Sequence, residues 1–206
     1  MKGILFIISS TSGGGKGTLI KEVLKSVPGI GYSVSYSTRK RREGETHGKD
    51  YFFVSGEEFK QLMNSDEFLE YAEVHGNLYG TSQKQVEKEI NFGRDVILEI
   101  DVQGAESIKK RLPESVGIFI LPPSFEVLRQ RLISRQTENE SDLELRLKNA
   151  RTEVNCYNDF DYVVINDDKE KALEELKTII FAERLRGNRQ TDRIRDILNT
   201  FNSTED

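Results

Sequence analysis

Short apolar runs alternate with amphipathic stretches along most of the chain. Residues 4–8 (ILFII), 96–100, 116–121 and 162–165 are rich in Ile, Val, Leu and Phe, and each is followed by helical spacing. After the first run, Leu19, Ile20, Val23, Leu24 and Val27 form one apolar stripe that Pro28-Gly29 ends. Ser55 with Glu58, Ser82 with Gln85 and Ser141 with Glu144 have the spacing of capping boxes. Ser124, after Pro122-Pro123, opens another helix, and Lys169 to Leu185 reads as a long one. Strands alternating with helices, and apolar along their whole length, predict a mostly parallel sheet covered on both faces. Such a sheet binds ligands at the carboxyl ends of its strands.

The pattern changes between residues 32 and 81. GYSVSYST alternates, a polar loop follows, then YFFV, then VHGNLYGTS with a turn at His75-Gly76-Asn77. This reads as a β-rich insertion. A second irregular stretch, 134–141 (SRQTENES), is polar and bounded by arginines, as a mobile lid would be.

The segment ILFIISSTSGGGKGTLI carries the first chemistry. A buried strand runs through Gly13, Gly14 and Gly15 into a helix that opens on Lys16. Glycines let backbone N–H groups converge on phosphate oxygens, the helix N-terminus adds positive potential, and the lysine adds a point charge. The pattern G-x-x-x-x-G-K-[ST] is departed from twice: Ser10 stands for its first glycine, and Gly17 for the residue whose hydroxyl holds Mg²⁺, with Thr18 one position late. The expected ligand is a nucleoside triphosphate.

Composition narrows the class. The 206 residues, 36% apolar and 32% charged with four prolines, suit one soluble domain. A lone cysteine, Cys156, and two histidines supply neither a disulfide nor a zinc site, which fits a reducing compartment and a cytoplasmic address. Lys2 plus ILFII is too short for a secretory signal, and no apolar run is long enough to span a membrane. A net charge of −5 argues against a general nucleic-acid binder. Local basic groups then stand out: Arg39 to Arg42 (RKRR), the set Arg129, Arg131, Arg135 and Arg146, and a run from Arg184 to Arg195. The last, interleaved with Glu183, Asp192 and Asp196, reads as a solvated helix face.

With these residues in hand, the chain resembles the guanylate kinases from Ile4 to about Arg186. The segments that carry the resemblance are STSGGGKGT, SYSTRKRREGETHGKDYFF, FLEYAEVHGNLYGTS, LEIDVQG, FILPPS, RLISR with LRLKNA downstream, and VVINDD. It implies a three-layer α/β/α P-loop NTPase core with a mostly parallel sheet, an inserted β-rich GMP-binding flap and a lid. The implied domain is 1–186, with core 1–31, 83–133 and 147–186, flap 32–82 and lid 134–146. A helical tail, 187–206, follows, which either docks on a second subunit in a homo-oligomer or frays. The implied reaction is ATP-dependent phosphorylation of GMP, and of dGMP, to the diphosphate.

Residue by residue, the resemblance places Ser12, Gly13, Gly14, Gly15, Lys16, Gly17, Thr18 and Asn166 at ATP. It places Ser35, Arg39, Arg42, Tyr51 and Tyr79 at the GMP phosphate, Glu70 and Thr81 at guanine, and Glu99 and Asp101 near GMP and the metal site. Lys16, Arg135 and Arg146 are the implied catalytic cations. The chemistry agrees: a phosphate dianion suits guanidinium forks with hydroxyl donors. A carboxylate can accept guanine N1–H and N2–H₂ together while a hydroxyl donates to O6.

Several readings stay open. Glu73, three residues on, competes with Glu70 if the segment is helical. Helix capping competes for Glu99 and Asp101. Asn166 suits a turn, and Arg131 either assists or faces water. Mg²⁺ should enter with ATP, held chiefly by phosphate oxygens and water, with Thr18 on a phosphate. Two rivals remain, a noncatalytic interaction module of the same fold and a kinase for another phosphorylated small molecule.

Overall fold

The chain, seen in a computed structural model, is described over residues 2–74, 76–134 and 140–202, the side chains of 140–142 and 202 excepted. It begins with β1 (Leu5–Ser10), α1 (Lys16–Ser26) and β2 (Ile30–Tyr32). The insertion follows as β3 (Tyr36–Ser37), β4 (Phe52–Phe53), α2 (Gly56–Asn64), β5 (Phe68–Val74) and β6 (Asn77–Ser82). The chain then alternates through α3 (Gln83–Asn91), β7 (Asp95–Glu99), α4 (Val102–Arg111), β8 (Val116–Leu121), α5 (Phe125–Ile133) and α6 (Glu140–Glu153). A 3-10 turn (Val154–Asp159) leads to β9 (Tyr162–Ile165), α7 (Lys169–Arg184) and α8 (Thr191–Asn202).

The main sheet has the order β2-β7-β1-β8-β9, every pair parallel, so the first strand lies at its centre. Both faces of β1 are buried because helices cover both. On one side Phe6 and Ile8 pack with Leu19, Val23, Leu176 and Ile180 of α1 and α7. On the other, Leu5 and Ile7 pack with Val86 and Ile108 of α3 and α4. This is the three-layer arrangement the alternation predicts. A third, smaller cluster joins Leu128 and Leu132 of α5 to Leu143, Leu147 and Ala150 of α6.

The insertion forms its own four-stranded sheet, β4-β3-β6-β5, with β5 and β6 an antiparallel hairpin. Gly76 takes φ 74° at the turn, and His75 beside it lies outside the described residues. Ser55 opens α2 with a complete capping box, and Ser82 and Ser124 accept from the backbone of Gln85 and Val127 at the starts of α3 and α5.

Four expectations need correction. GYSVSYST is divided: Ile30–Tyr32 pairs with β7 as a fifth parallel strand, and only Tyr36–Ser37 joins the insertion sheet. The FLEYAEV segment is a strand, not a helix. Ser141 is not a cap, since α6 is under way at Glu140. Arg184, assigned to a solvated run, donates from Nε to Asp95 Oδ2 at 2.7 Å, while Asp95 Oδ1 accepts the Ile4 amide at 2.8 Å. Asp95 is 5% exposed, so the ion pair and the amide satisfy a carboxylate that water barely reaches.

Candidate active site

The phosphate loop joins the carboxyl end of β1 to α1. Gly13 and Gly15 hold φ of 86° and 90°, where a Cβ would be strained, and Gly15 is the N-cap of α1. Because glycine caps the helix, no side chain caps its N-terminus. The loop is braced from behind: Asn166 Nδ2 donates to the Gly14 carbonyl at 2.9 Å, and Arg131 Nη2 donates to the Asn166 carbonyl at 2.8 Å. Asn166 is buried against Gly15, so it stiffens the loop rather than facing the cleft. Arg131 does not merely face water. Its Nη1 is buried without a hydrogen-bond partner among the described residues, 4.0 Å from where a Gly15 Cβ would stand.

Lys16 lines the cleft and donates from Nζ to the Ile100 carbonyl at 3.1 Å, which ties the lysine to the end of β7. Glu99, the last residue of β7, accepts from the Tyr32 hydroxyl at 3.3 Å. Its Oε1 lies 3.4 Å from where a Gly17 Cβ would stand, so the longer acid reaches over the position that lacks a side chain. Burial first, and then the Glu99 charge, raises the Tyr32 phenol far above its ordinary value, so it remains a donor. Asp101 takes the capping role, its Oδ1 accepting the Gly104 amide at 3.0 Å at the start of α4.

Across the cleft stand the groups expected at the second phosphate: Ser35, Arg39, Arg42, Tyr51 and Tyr79. Arg39 is forked onto Glu45, with Nη2 to Oε1 at 2.7 Å and Nη1 to Oε2 at 3.1 Å, and the Arg42 amide donates to the same Oε2 at 2.8 Å. The Arg39 hydrogen bond holds the Glu45 carboxyl below its usual range. A carboxylate thus occupies the fork in the way a phosphate would. The Arg39 guanidinium lies 5.3 Å from the Tyr51 ring centroid, and burial pushes the Tyr51 hydroxyl up to about 12.

Period-two alternation along β5 decides between the two glutamates. Glu70, Ala72 and Val74 line the cleft, whereas Glu73 is exposed on the other face. Thr81, on β6, is fully buried and donates to Glu70 Oε1 at 2.6 Å. It orients the carboxylate instead of lining the cleft. Burial raises the Glu70 carboxyl to about 7, with the Thr81 bond lowering it and the Asp101 charge raising it.

The glycine loop and the groups expected at the second phosphate open into one cleft of about 290 Å³, lined by Ser12 to Gly17, by Arg39, Arg42 and Glu70, and by Arg146. Arg146 Nη1 lies 3.5 Å from Ser12 Oγ. Thr18 is exposed and outside this lining. Arg135 falls outside the described residues. Sequence reasoning missed Glu45, Tyr32 and Gly104. Only Glu45 had a signal, as an acid three residues after the basic run Arg39 to Arg42.

Comparison with known proteins agrees with this geometry. Residues 2–183 match the family described as guanylate kinase. The chain is 48% identical to a guanylate kinase of Thermotoga maritima over 94% of each chain, and 51% identical to one of Neisseria meningitidis over 96% of each. It is similar to the crystal structure of guanylate kinase from Anaplasma phagocytophilum, with a TM-score of 0.77, 36% identity, and coverage of 91% of this chain and 89% of that one.

Proposed function

The chain belongs to the guanylate kinase family, whose reaction is ATP-dependent phosphorylation of GMP to GDP, and we propose that it runs this reaction inside the one cleft where both anion sites meet. That shared cleft is the observation that carries the reading. ATP places its phosphates on the glycine loop and α1, with Lys16 beside them. GMP places its phosphate among Ser35, Arg39, Arg42, Tyr51 and Tyr79, where it displaces the Glu45 carboxylate from the Arg39 fork. Glu70, oriented by Thr81, accepts the guanine N1–H and N2–H₂. Adenine offers no such donor pair.

The acceptor oxygen of GMP is already ionised near neutral pH, so no general base is needed. Lys16, Arg146 and Arg135 supply positive charge to equatorial oxygens that gain charge in the transition state. Residues 32–82 act as the flap and 134–146 as the lid, which together exclude water from the transfer. Mg²⁺ entering with ATP would supply further positive charge to the phosphates. The Glu99 carboxylate over Gly17, with Asp101 beside it, is a hard oxygen donor set that fits this ion, with phosphates and water completing its shell. We place the protein in the cytoplasm; among the described residues, no helix is long and apolar enough to cross a membrane.

A coupled assay offering ATP with GMP, dGMP, AMP, CMP or dTMP tests the reading. GMP and dGMP should turn over, the others at least about 10³-fold less efficiently, because the wrong base leaves Glu70 buried and unpaired. No turnover would favour the noncatalytic module. Turnover without preference for guanine would favour the other kinase.

A further inference from the structure

The Ser12 amide of the phosphate loop donates to Glu153 Oε2 at 3.1 Å, a hydrogen bond across 141 residues of chain. Glu153 is the last residue of α6, and none of the roles assigned above uses it. It lines the cleft and is only partly exposed, although it lies next to a loop built to attract phosphate. An acid there repels the incoming anion unless it does something else.

Its place on the helix suggests what that is. Arg146 and Glu153 are seven residues apart, two turns of helix, and therefore share a face. Both reach the same residue, Arg146 Nη1 at 3.5 Å from Ser12 Oγ and Glu153 on the Ser12 amide. The rest of that side of α6, Leu143, Leu147 and Ala150, packs on Leu128 and Leu132 of α5 in the small cluster set apart from the two main cores. Apolar packing is non-directional and does not by itself set the register of α6 on α5, whose own anchor behind the loop is Arg131 through Asn166. A hydrogen bond to a backbone amide is directional. The Gly13 site adds a stop, since a Cβ there would lie 3.1 Å from Leu132 Cγ.

We propose that Glu153 is a positioning residue: through the Ser12 amide it pins the carboxyl end of α6 to the phosphate loop and so sets the distance at which Arg146 meets the transferred phosphoryl group. The inference rests on Arg146 acting at that group. Without the pin, α6 keeps its packing on α5 but loses its register against the loop, and the guanidinium is misplaced. Misplacement by about 1 Å costs on the order of 10- to 100-fold in turnover without abolishing substrate binding.

The test measures kcat and KM for both substrates, with thermal melting, in Glu153→Ala, Glu153→Gln, Arg146→Ala and the Glu153→Ala/Arg146→Ala double variant. Glu153→Ala should lower kcat about tenfold or more and leave the KM for GMP within about twofold. Glu153→Gln keeps an oxygen that accepts from the amide and should recover most of the lost turnover. In the Arg146→Ala background, removal of Glu153 should cost less than about twofold more, because a residue acting through the arginine has nothing left to position. Native kcat in Glu153→Ala, equal damage from Ala and Gln, or full multiplication of the two single effects each overturns the proposal. If Glu153→Ala melts below the assay temperature, Glu153→Asp replaces it, with an oxygen too short to reach Ser12, and is held to the same kcat criterion. Should Arg146→Ala itself leave kcat unchanged, the assignment of Arg146 fails, a different result from failure of the pin alone.

Discussion

The Thr81 hydroxyl lies 2.6 Å from Glu70 Oε1, and it is the hydrogen bond that keeps a buried acid usable. Burial raises the Glu70 carboxyl to about 7 even with this donor in place, and Thr81 counters part of that rise. Thr81→Val removes the donor at nearly constant volume. The KM for GMP at pH 7 should rise about tenfold with little change in kcat, and much of the loss should return at pH 8.5, where the carboxyl ionises unaided. Initial-rate titrations at both pH values check this.

Glu70 must be ionised to accept two guanine donors, so GMP use should weaken as pH falls. Below about 7 the KM for GMP should rise, approaching tenfold per pH unit, and the rise attributable to Glu70 should be absent in Glu70→Gln. Stability runs the other way. The folded state holds this proton more tightly than the unfolded chain, so stability is present below the ordinary carboxyl value of 4.5 and lost as pH rises towards 7. Glu70→Gln should therefore melt above the native protein at pH 8 and level with it near pH 4.5, by calorimetry, while losing guanine preference.

Gly104 sits in the first turn of α4 with a Cβ position 2.8 Å from Glu70 Oε2. Gly104→Ala would improve helix propensity by roughly 1 kcal/mol, yet it must push the glutamate aside. The expected signature is an unchanged or slightly raised melting temperature with a KM for GMP about tenfold higher. A native KM would mean that Glu70 moves freely.

Gly17→Ser restores the hydroxyl missing from the phosphate-loop pattern, but Glu99 Oε1 is already 3.4 Å from its Cβ position. The serine should bond to Glu99 and change the half-saturating Mg²⁺ at fixed ATP by less than about threefold. Glu99→Ala should raise that concentration about tenfold. A Gly17→Ser variant that needs tenfold less Mg²⁺ would mean the absent hydroxyl is a liability.

The core and the phosphate loop were legible because their signals are local. Apolar strands at 4–8 and 116–121, and three glycines before Lys16, state their own structure. Glu70 against Glu73 was legible only once the period was known, and FLEYAEV mixes apolar and charged residues in a way that suits either period. β2 was hidden because three residues, Ile30–Tyr32, leave no periodicity to read. Arg184 looked solvated because its partner, Asp95, is 89 positions away, and the grip of Glu153 on Ser12 spans 141. Glu153 belongs to an unremarkable charged helix until the fold brings the loop beside it.

The buried Asp95 has a consequence for synthesis. As the chain leaves the ribosome, β1 emerges first but must wait for β7 and β8 to flank it, and Asp95 can take the Ile4 amide long before Arg184 arrives. Until then an uncompensated carboxylate sits at the seam between two strands, so the half-made sheet stays loose. Tight closure is delayed until Arg184 is available, and a product truncated before residue 184 should be captured by chaperones or proteases rather than persist as a stable fragment.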